Sequence, residues 1–177
     1  MGNYRPLCDT WILARSKVKY YGAYPAGFLD RARALLGVTI QDSVLHACSG
    51  MVRDYPFKGF GRHDKTMDID PSLDPDFLQD VRSPWPLDPK IGQWRGILAD
   101  PPYTPEDAEH YVSGSETFPN PNEMVKLAYE ALRPGGRFGI LHYVWPRPPE
   151  GMKNIAVISV LVGFNNRARL YSVYEKE

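Results

Sequence analysis

This sequence is short of several things, and each shortage excludes something. Two cysteines, Cys8 and Cys48, are too few for a disulfide framework and lack the spacing of a thiolate metal site. His110 and His142 are not spaced as metal ligands either, so no metal is expected. No apolar run approaches the ~18 residues that span a bilayer. The opening Met1-Gly2-Asn3-Tyr4-Arg5-Pro6 does not read as a secretory signal, and no membrane association and a cytoplasmic location are expected. Internal repeats and low-complexity tracts are absent, which excludes solenoids and disordered linkers. Net charge is also absent: 21 Lys/Arg balance 21 Asp/Glu, so nothing in the total attracts a polyanion.

What is present fits one domain with a full core: 177 residues, 43 % of them apolar. The balanced charge is unevenly spread. Residues 1–63 carry nine Lys/Arg against four Asp/Glu, residues 64–130 five against fourteen, and residues 131–177 seven against three. That layout allows a positive face for phosphates beside an acidic pocket for a cationic ligand, or it solvates different faces.

Helical spacing runs from Phe28 to Leu36, with Gly37 as its stop, and from Asn122 to Leu132, stopped by Arg133-Pro134-Gly135-Gly136. Short apolar runs read as strands over 43–47, 66–70, 77–80, 96–99 and 137–144. The segments 155–162 and 169–174 flank Asn165-Asn166 as a terminal hairpin. Strands alternating with helices and closed by a hairpin predict an α/β fold with a mostly parallel sheet and a C-terminal antiparallel hairpin. Ligands of such sheets bind beyond the carboxyl ends of the strands, at the switch point. The Cys48-Ser49-Gly50 turn, Asp68, Asp80 and Asp100 all fall near expected strand ends.

Asp100-Pro101-Pro102-Tyr103 carries the most chemistry. A carboxylate at a strand end, two prolines and an aromatic make a rigid polar clamp with a stacking face, because each proline fixes φ and removes an N–H. The Asp100 carboxylate and the Pro101 carbonyl are two acceptors for a planar amine. They can draw its nitrogen toward a tetrahedral geometry in which the lone pair attacks, while Tyr103 holds a base by its face. The plain alternative is an ordinary Asp-Pro turn.

The order of these signals resembles the class I methyltransferases that use S-adenosylmethionine, and more narrowly those acting on the amine of DNA adenine, including small stand-alone phage and prophage types. The resemblance covers residues 20 to 175 and implies the family's Rossmann-like fold. It implies that the Ala47-Cys48-Ser49-Gly50 loop approaches the methionine part of the cofactor. Asp68, with Ile69, would take the ribose hydroxyls, and Asp80 with Val81 the cofactor adenine. Tyr24-Pro25, within the stretch 21–28, would pack over the cofactor's carboxylate end, and the helix after Gly27 offers free N–H groups there. Asp100 to Tyr103 would be catalytic, with Tyr103, His142 and Tyr143 against the target base. Simpler readings stand beside these: Asp68 as a turn residue, Asp80 as a cap or loop acid, residues 21–28 as an aromatic brace, and His142 as structural.

The sequence departs from the family pattern in places. The first loop has a single glycine, Gly50, and His46 stands where an acid is common. A short charged stretch, Arg53 to Lys65, replaces a long helix, and its basic–aromatic segment Phe57–His63 reads either as a DNA contact or as a surface loop. The stretch from Thr104 to Asn122 is too short for a target-recognition domain. The expectation is therefore one methyltransferase domain over 1–177, with residues 1–40 capping the cofactor and 41–177 forming the catalytic core. Sequence preference would be short or relaxed, or a partner such as a specificity subunit would supply it, a homo-oligomer being the other assembly considered, and the Trp145–Pro149 loop would help grip the duplex. DNA is the leading partner. RNA, cytosine, a protein amide, or an inactive cofactor-binding subunit remain alternatives.

Overall fold

Apolar runs bounded by turn residues form the middle of a sheet covered on both faces. The computed structural model describes residues 5–15, 23–55, 58–109, 118–163 and 167–177. Among these, eight strands form one sheet: β1 (Leu7–Leu13), β2 (Val44–Ala47), β3 (Lys65–Asp68), β4 (Phe77–Leu78), β5 (Trp94–Ala99), β6 (Leu132–His142), β7 (Met152–Val162) and β8 (Arg169–Lys176). The helices are α1 (Phe28–Leu36), α2 (Pro105–Glu109) and α3 (Pro121–Ala131). Across the sheet the order is β4-β3-β2-β5-β6-β8-β7-β1. β8 runs antiparallel to both β6 and β7, and the remaining pairs are parallel. The expected α/β architecture is the one that forms; the Asn165-Asn166 turn lies outside the described residues.

The expected elements shift by only a few residues, with three exceptions. β1 pairs with β7 from Leu7↔Ala156 to Leu13↔Val162, where no strand was expected. Its Cys8-Asp9-Thr10 centre has no apolar alternation because an edge strand can leave much of its side-chain surface wet. The single turn α2 follows the clamp unannounced. The Arg133–Gly136 stretch is a bulge rather than a turn before the strand: pairing jumps from Trp94↔Leu132 to Gly96↔Arg137.

Neighbouring residues of β5 show why the strand runs are continuous. Ile97 and Ala99 join Met124, Val125 and Ala128 of α3 on one face, while Leu98 joins Phe28, Leu29 and Ala32 of α1 on the other. Gly37 ends α1 at φ 65, its N–H donating to the Ala34 carbonyl, a conformation that glycine takes without a Cβ clash. Asn120 caps α3 by accepting from the Asn122 N–H at 2.9 Å, with Pro121 at the first helical position. Gly139 is required by a close approach: a Cβ there would lie 2.2 Å from the Tyr171 hydroxyl, which donates to the Ala32 carbonyl at 3.3 Å.

At the strand-start end of the sheet, Asp64 is wholly buried and fully engaged. It accepts from Arg33 at 2.6 Å, His46 Nε2 at 2.9 Å, the Gly61 N–H at 2.7 Å and the Val44 N–H at 3.1 Å. His46 is therefore a core residue, packed against Phe60 at 5.1 Å. Within the segment read as a DNA contact or a surface loop, part of the chain packs inward. Phe60 packs on the α1-side cluster, and a Cβ on Gly59 would meet Leu29 at 2.3 Å. Lys58 and Arg62 stay exposed, and Phe57 lies outside the described residues.

Burial alone would raise the Asp64 pKa, but hydrogen bonds from His46 and Arg33 outweigh it and hold the carboxyl below its ordinary value. The stability it contributes is present above the unfolded carboxyl's pKa and is lost as pH falls through the lower folded value. Asp64→Ala, which strands a buried guanidinium, is expected to lower unfolding stability by about 3–5 kcal/mol, measured by urea denaturation at neutral pH.

Candidate active site

Two loops leave the middle of the sheet side by side. β2 and β5 are in register from Val44↔Gly96 to Ala47↔Ala99, and the next residue, Asp100, donates its N–H to the Ala47 carbonyl at 3.3 Å. β3 lies beyond β2 and β6 beyond β5, so this is the switch point of the sheet.

The first loop is wound tightly. Cys48 at φ 53 and Gly50 at φ 49 are both left-handed, which is uncommon for the cysteine. The Ser49 N–H donates to the Met67 carbonyl at 3.2 Å, and the Gly50 N–H donates to Asp68 Oδ2 at 2.9 Å. Asp68 Oδ1 accepts from the Asp70 N–H at 3.1 Å, so this carboxylate ties the loop to the end of β3. Ile69 beside it is exposed. Among the described residues Ser49 Oγ is buried without a partner, and the space beside Gly50 is open. Burial pushes the Cys48 thiol well up, and the charges of Asp68, Asp100 and Asp80 push it further. The structure thus brings these four residues to one place. Asp80 is not idle there: Arg82 grips it through Nε at 3.0 Å to both oxygens and through Nη2, lowering its pKa. Val81 next to it is buried, and its carbonyl accepts from Trp85 Nε1 at 2.7 Å.

Tyr24 and Pro25 serve first as a brace. Tyr24 stacks on Phe28 with ring centres 5.0 Å apart, and Pro25 offers its carbonyl to the Tyr55 hydroxyl. The Tyr24 hydroxyl, however, is buried with no partner among the described residues, and burial together with the nearby Asp100 and Tyr103 raises its pKa. It points toward the clamp. Tyr21 and Gly22 of that segment lie outside the described residues, as does His110.

Within the clamp, the Tyr103 hydroxyl donates to Asp100 Oδ1 and receives Arg169 Nη1 at 3.3 Å. Burial raises the Asp100 pKa to about 6, against the lowering pull of Arg169 and of the Tyr103 hydrogen bond. Pro101 is buried and Pro102 half-buried behind them. The Tyr103 ring packs on Tyr143 at 4.6 Å and edge-on to His142 at 5.4 Å. Arg169 has no local sequence signal. It opens β8, and only the antiparallel closure of the sheet carries it to Asp100.

No protein-family model matches this sequence, and no curated protein matches it. Solved structures share its fold. TrmN from Thermus thermophilus superposes with a TM-score of 0.63 at 18 % identity over 89 % of this chain, which spans half of that protein's length. An rRNA methylase from Streptococcus thermophilus superposes with a TM-score of 0.50 at 15 % identity, covering 87 % of this chain and 99 % of that one. At these identities the likeness is one of fold: a Rossmann-like sheet of the methyltransferase type.

Removing the Arg169 charge leaves burial to act on Asp100 with less opposition. In Arg169→Met the Asp100 carboxyl is expected to titrate above 6, read by carboxyl-carbon NMR against the unsubstituted protein.

Proposed function

We propose that this chain transfers a methyl group from S-adenosylmethionine to the exocyclic amine of adenine in nucleic acid. The observation that carries the reading is the placement of Asp100-Pro101-Pro102-Tyr103 at the end of β5, hydrogen-bonded to the last residue of β2 and directly beside the Cys48–Gly50 loop.

The site's chemistry fits that cofactor. Three carboxylates surround a spot with open space at Gly50 and two orphaned buried hydroxyls, on Tyr24 and Ser49, which suits a ligand carrying both cations and hydrogen-bonding groups. In this reading Ala47 to Gly50 and Tyr24-Pro25 hold the methionine end. Asp68, bounded by Ile69, takes the ribose hydroxyls, and Val81 packs against the adenine. Asp80 reaches the adenine amine only by loosening its grip on Arg82. When bound, the cofactor supplies an electrophilic methyl group.

The chain's own residues do the rest. A base reaching this pocket leaves its stack, at a cost of a few kcal/mol. Tyr103 and Tyr143 receive its face. The Asp100 carboxylate and the Pro101 carbonyl accept from the amine, which turns the nitrogen lone pair away from the ring, and Asp100 or water takes the proton that the amine must shed. For this Asp100 has to be ionised and Tyr103 has to yield one carboxylate oxygen. Arg169 then keeps the carboxylate charged while burial opposes it. Of the N-terminal forty residues, Tyr24 and Pro25 cap the cofactor while β1 stays at the far edge of the sheet; residues 41–177 are the catalytic core, and sequence preference is short or relaxed, or comes from a partner.

DNA is the first substrate to test. RNA is the second, because one protein of the same fold and nearly the same extent is an rRNA methylase. Nucleoside mass spectrometry of DNA and RNA from cells expressing the chain is expected to show N-methylated adenine in one of them, absent with Asp100→Ala. Methylation in neither, by a folded and cofactor-bound protein, contradicts the proposal. Activity is expected to rise through pH 6 as Asp100 ionises and to level off above it, read as kcat/KM against pH.

A further inference from the structure

His142 is a buried titratable residue at the clamp whose polar atoms are only half used. It ends β6, whose Ile140 lies opposite Ala99 of β5, so His142 sits level with Pro101, two residues past that pair. On its other side it pairs with Leu170, the neighbour of Arg169. It is 2 % exposed, edge-on to Tyr103 at 5.4 Å and 6.3 Å from the Phe118 ring. Clamp, stacking ring and imidazole therefore share one wall.

The protonation state follows from its hydrogen bonds. Nδ1 accepts from the Val144 N–H at 3.1 Å, so it is unprotonated. In the neutral ring the proton then resides on Nε2. Burial pushes the pKa down to about 4, so the ring is neutral at physiological pH. Nε2 has no partner among the described residues. A buried donor left unpaired is costly, and the one hydrogen bond the imidazole makes among the described residues, from the Val144 N–H, uses only Nδ1 and gives Nε2 nothing. An unpaired N–H against the stacking face of a base pocket is explained by an acceptor that arrives with the base.

We propose that His142 is a base-reading residue: its Nε2–H donates to the unprotonated ring nitrogen beside the amine held by Asp100, which in adenine is N1. This rests on the proposed function and adds the edge by which the base is told apart. In guanine the corresponding ring nitrogen carries a hydrogen and meets the imidazole donor to donor. Cytosine offers a comparable acceptor, so size and stacking against Tyr103 and Tyr143 must separate it from adenine.

The test reads the imidazole directly. Long-range proton–nitrogen NMR of the labelled protein is expected to show His142 neutral with the proton on Nε2. Addition of oligo-deoxyadenylate should shift that signal, and the same oligomer built from 1-deazaadenine should not. A proton on Nδ1, a charged ring, or equal shifts from both oligomers would overturn the proposal. A shift confined to the adenine oligomer from a protein that methylates nothing would leave the base reading intact and sink the catalytic one. Kinetics supply the second readout. His142→Leu should lower kcat/KM on the methylated nucleic acid by roughly tenfold to a hundredfold with S-adenosylhomocysteine affinity unchanged, and His142→Gln, which restores a donor, should recover most of it. Leu and Gln variants of equal activity would also overturn it.

Discussion

The pairing of β2 with β5 is the constraint on which the rest depends. The two strands add to the sheet in opposite directions along the chain, so the loops that leave them have no neighbour in the sheet plane above them and open a crevice. Their register, Ala47 opposite Ala99, and the hydrogen bond from the Asp100 N–H to Ala47 hold the first loop and the clamp side by side. Everything else in the site is hung on that seam. Asp68 ties the first loop to β3, while His142 and Arg169 close the other side from β6 and β8.

Charge is managed differently at the two ends of the sheet. At the strand-start end a carboxylate is buried and satisfied: Asp64 takes four donors, fastens α1 to β2, and has a depressed pKa. At the strand-end side polar atoms are buried and left short. Asp100 is pushed up to about 6, and the Tyr24 hydroxyl, Ser49 Oγ and His142 Nε2 have no partner among the described residues. Saturated polar groups stabilise a fold, whereas unsatisfied ones cost stability and are expected where a ligand completes them. Among the described residues, unpaired buried atoms also occur at the strand-start end, on Arg33 Nε, His46 Nδ1 and Asp88 Oδ2, so the crevice is marked by the company its own unpaired atoms keep with the raised Asp100 carboxyl and the open space at Gly50.

Much of this was legible in the sequence, and the failures have physical reasons. Phe28–Leu36 and its Gly37 stop are local signals, since 3.6-residue spacing and a left-handed cap need no distant partner. The core strands were visible as apolar runs because both faces are covered. β1 was hidden because an edge strand can carry Cys-Asp-Thr without penalty. The core role of His46 and the inward packing of Gly59 and Phe60 were not legible because their partners, Asp64 and Leu29, are distant in sequence, and a basic–aromatic stretch reads alike whether it faces solvent or brackets a buried carboxylate. Arg169 was missed for the same reason. The Asp80–Arg82 pair, two residues apart, was the one omission that the sequence itself displayed.

The most direct test of the account is calorimetric titration of S-adenosylhomocysteine into three proteins: the unsubstituted chain, Asp68→Ala at the crevice, and Arg62→Ala at the far end of the sheet. Binding is expected by the first and third, with a loss of roughly tenfold or more for Asp68→Ala, whose carboxylate ties the loop to β3 and is the proposed acceptor of the ribose hydroxyls. Absence of binding by the unsubstituted chain, or equal affinities for all three, would contradict the claim that the β2–β5 switch point is an adenosyl-cofactor site.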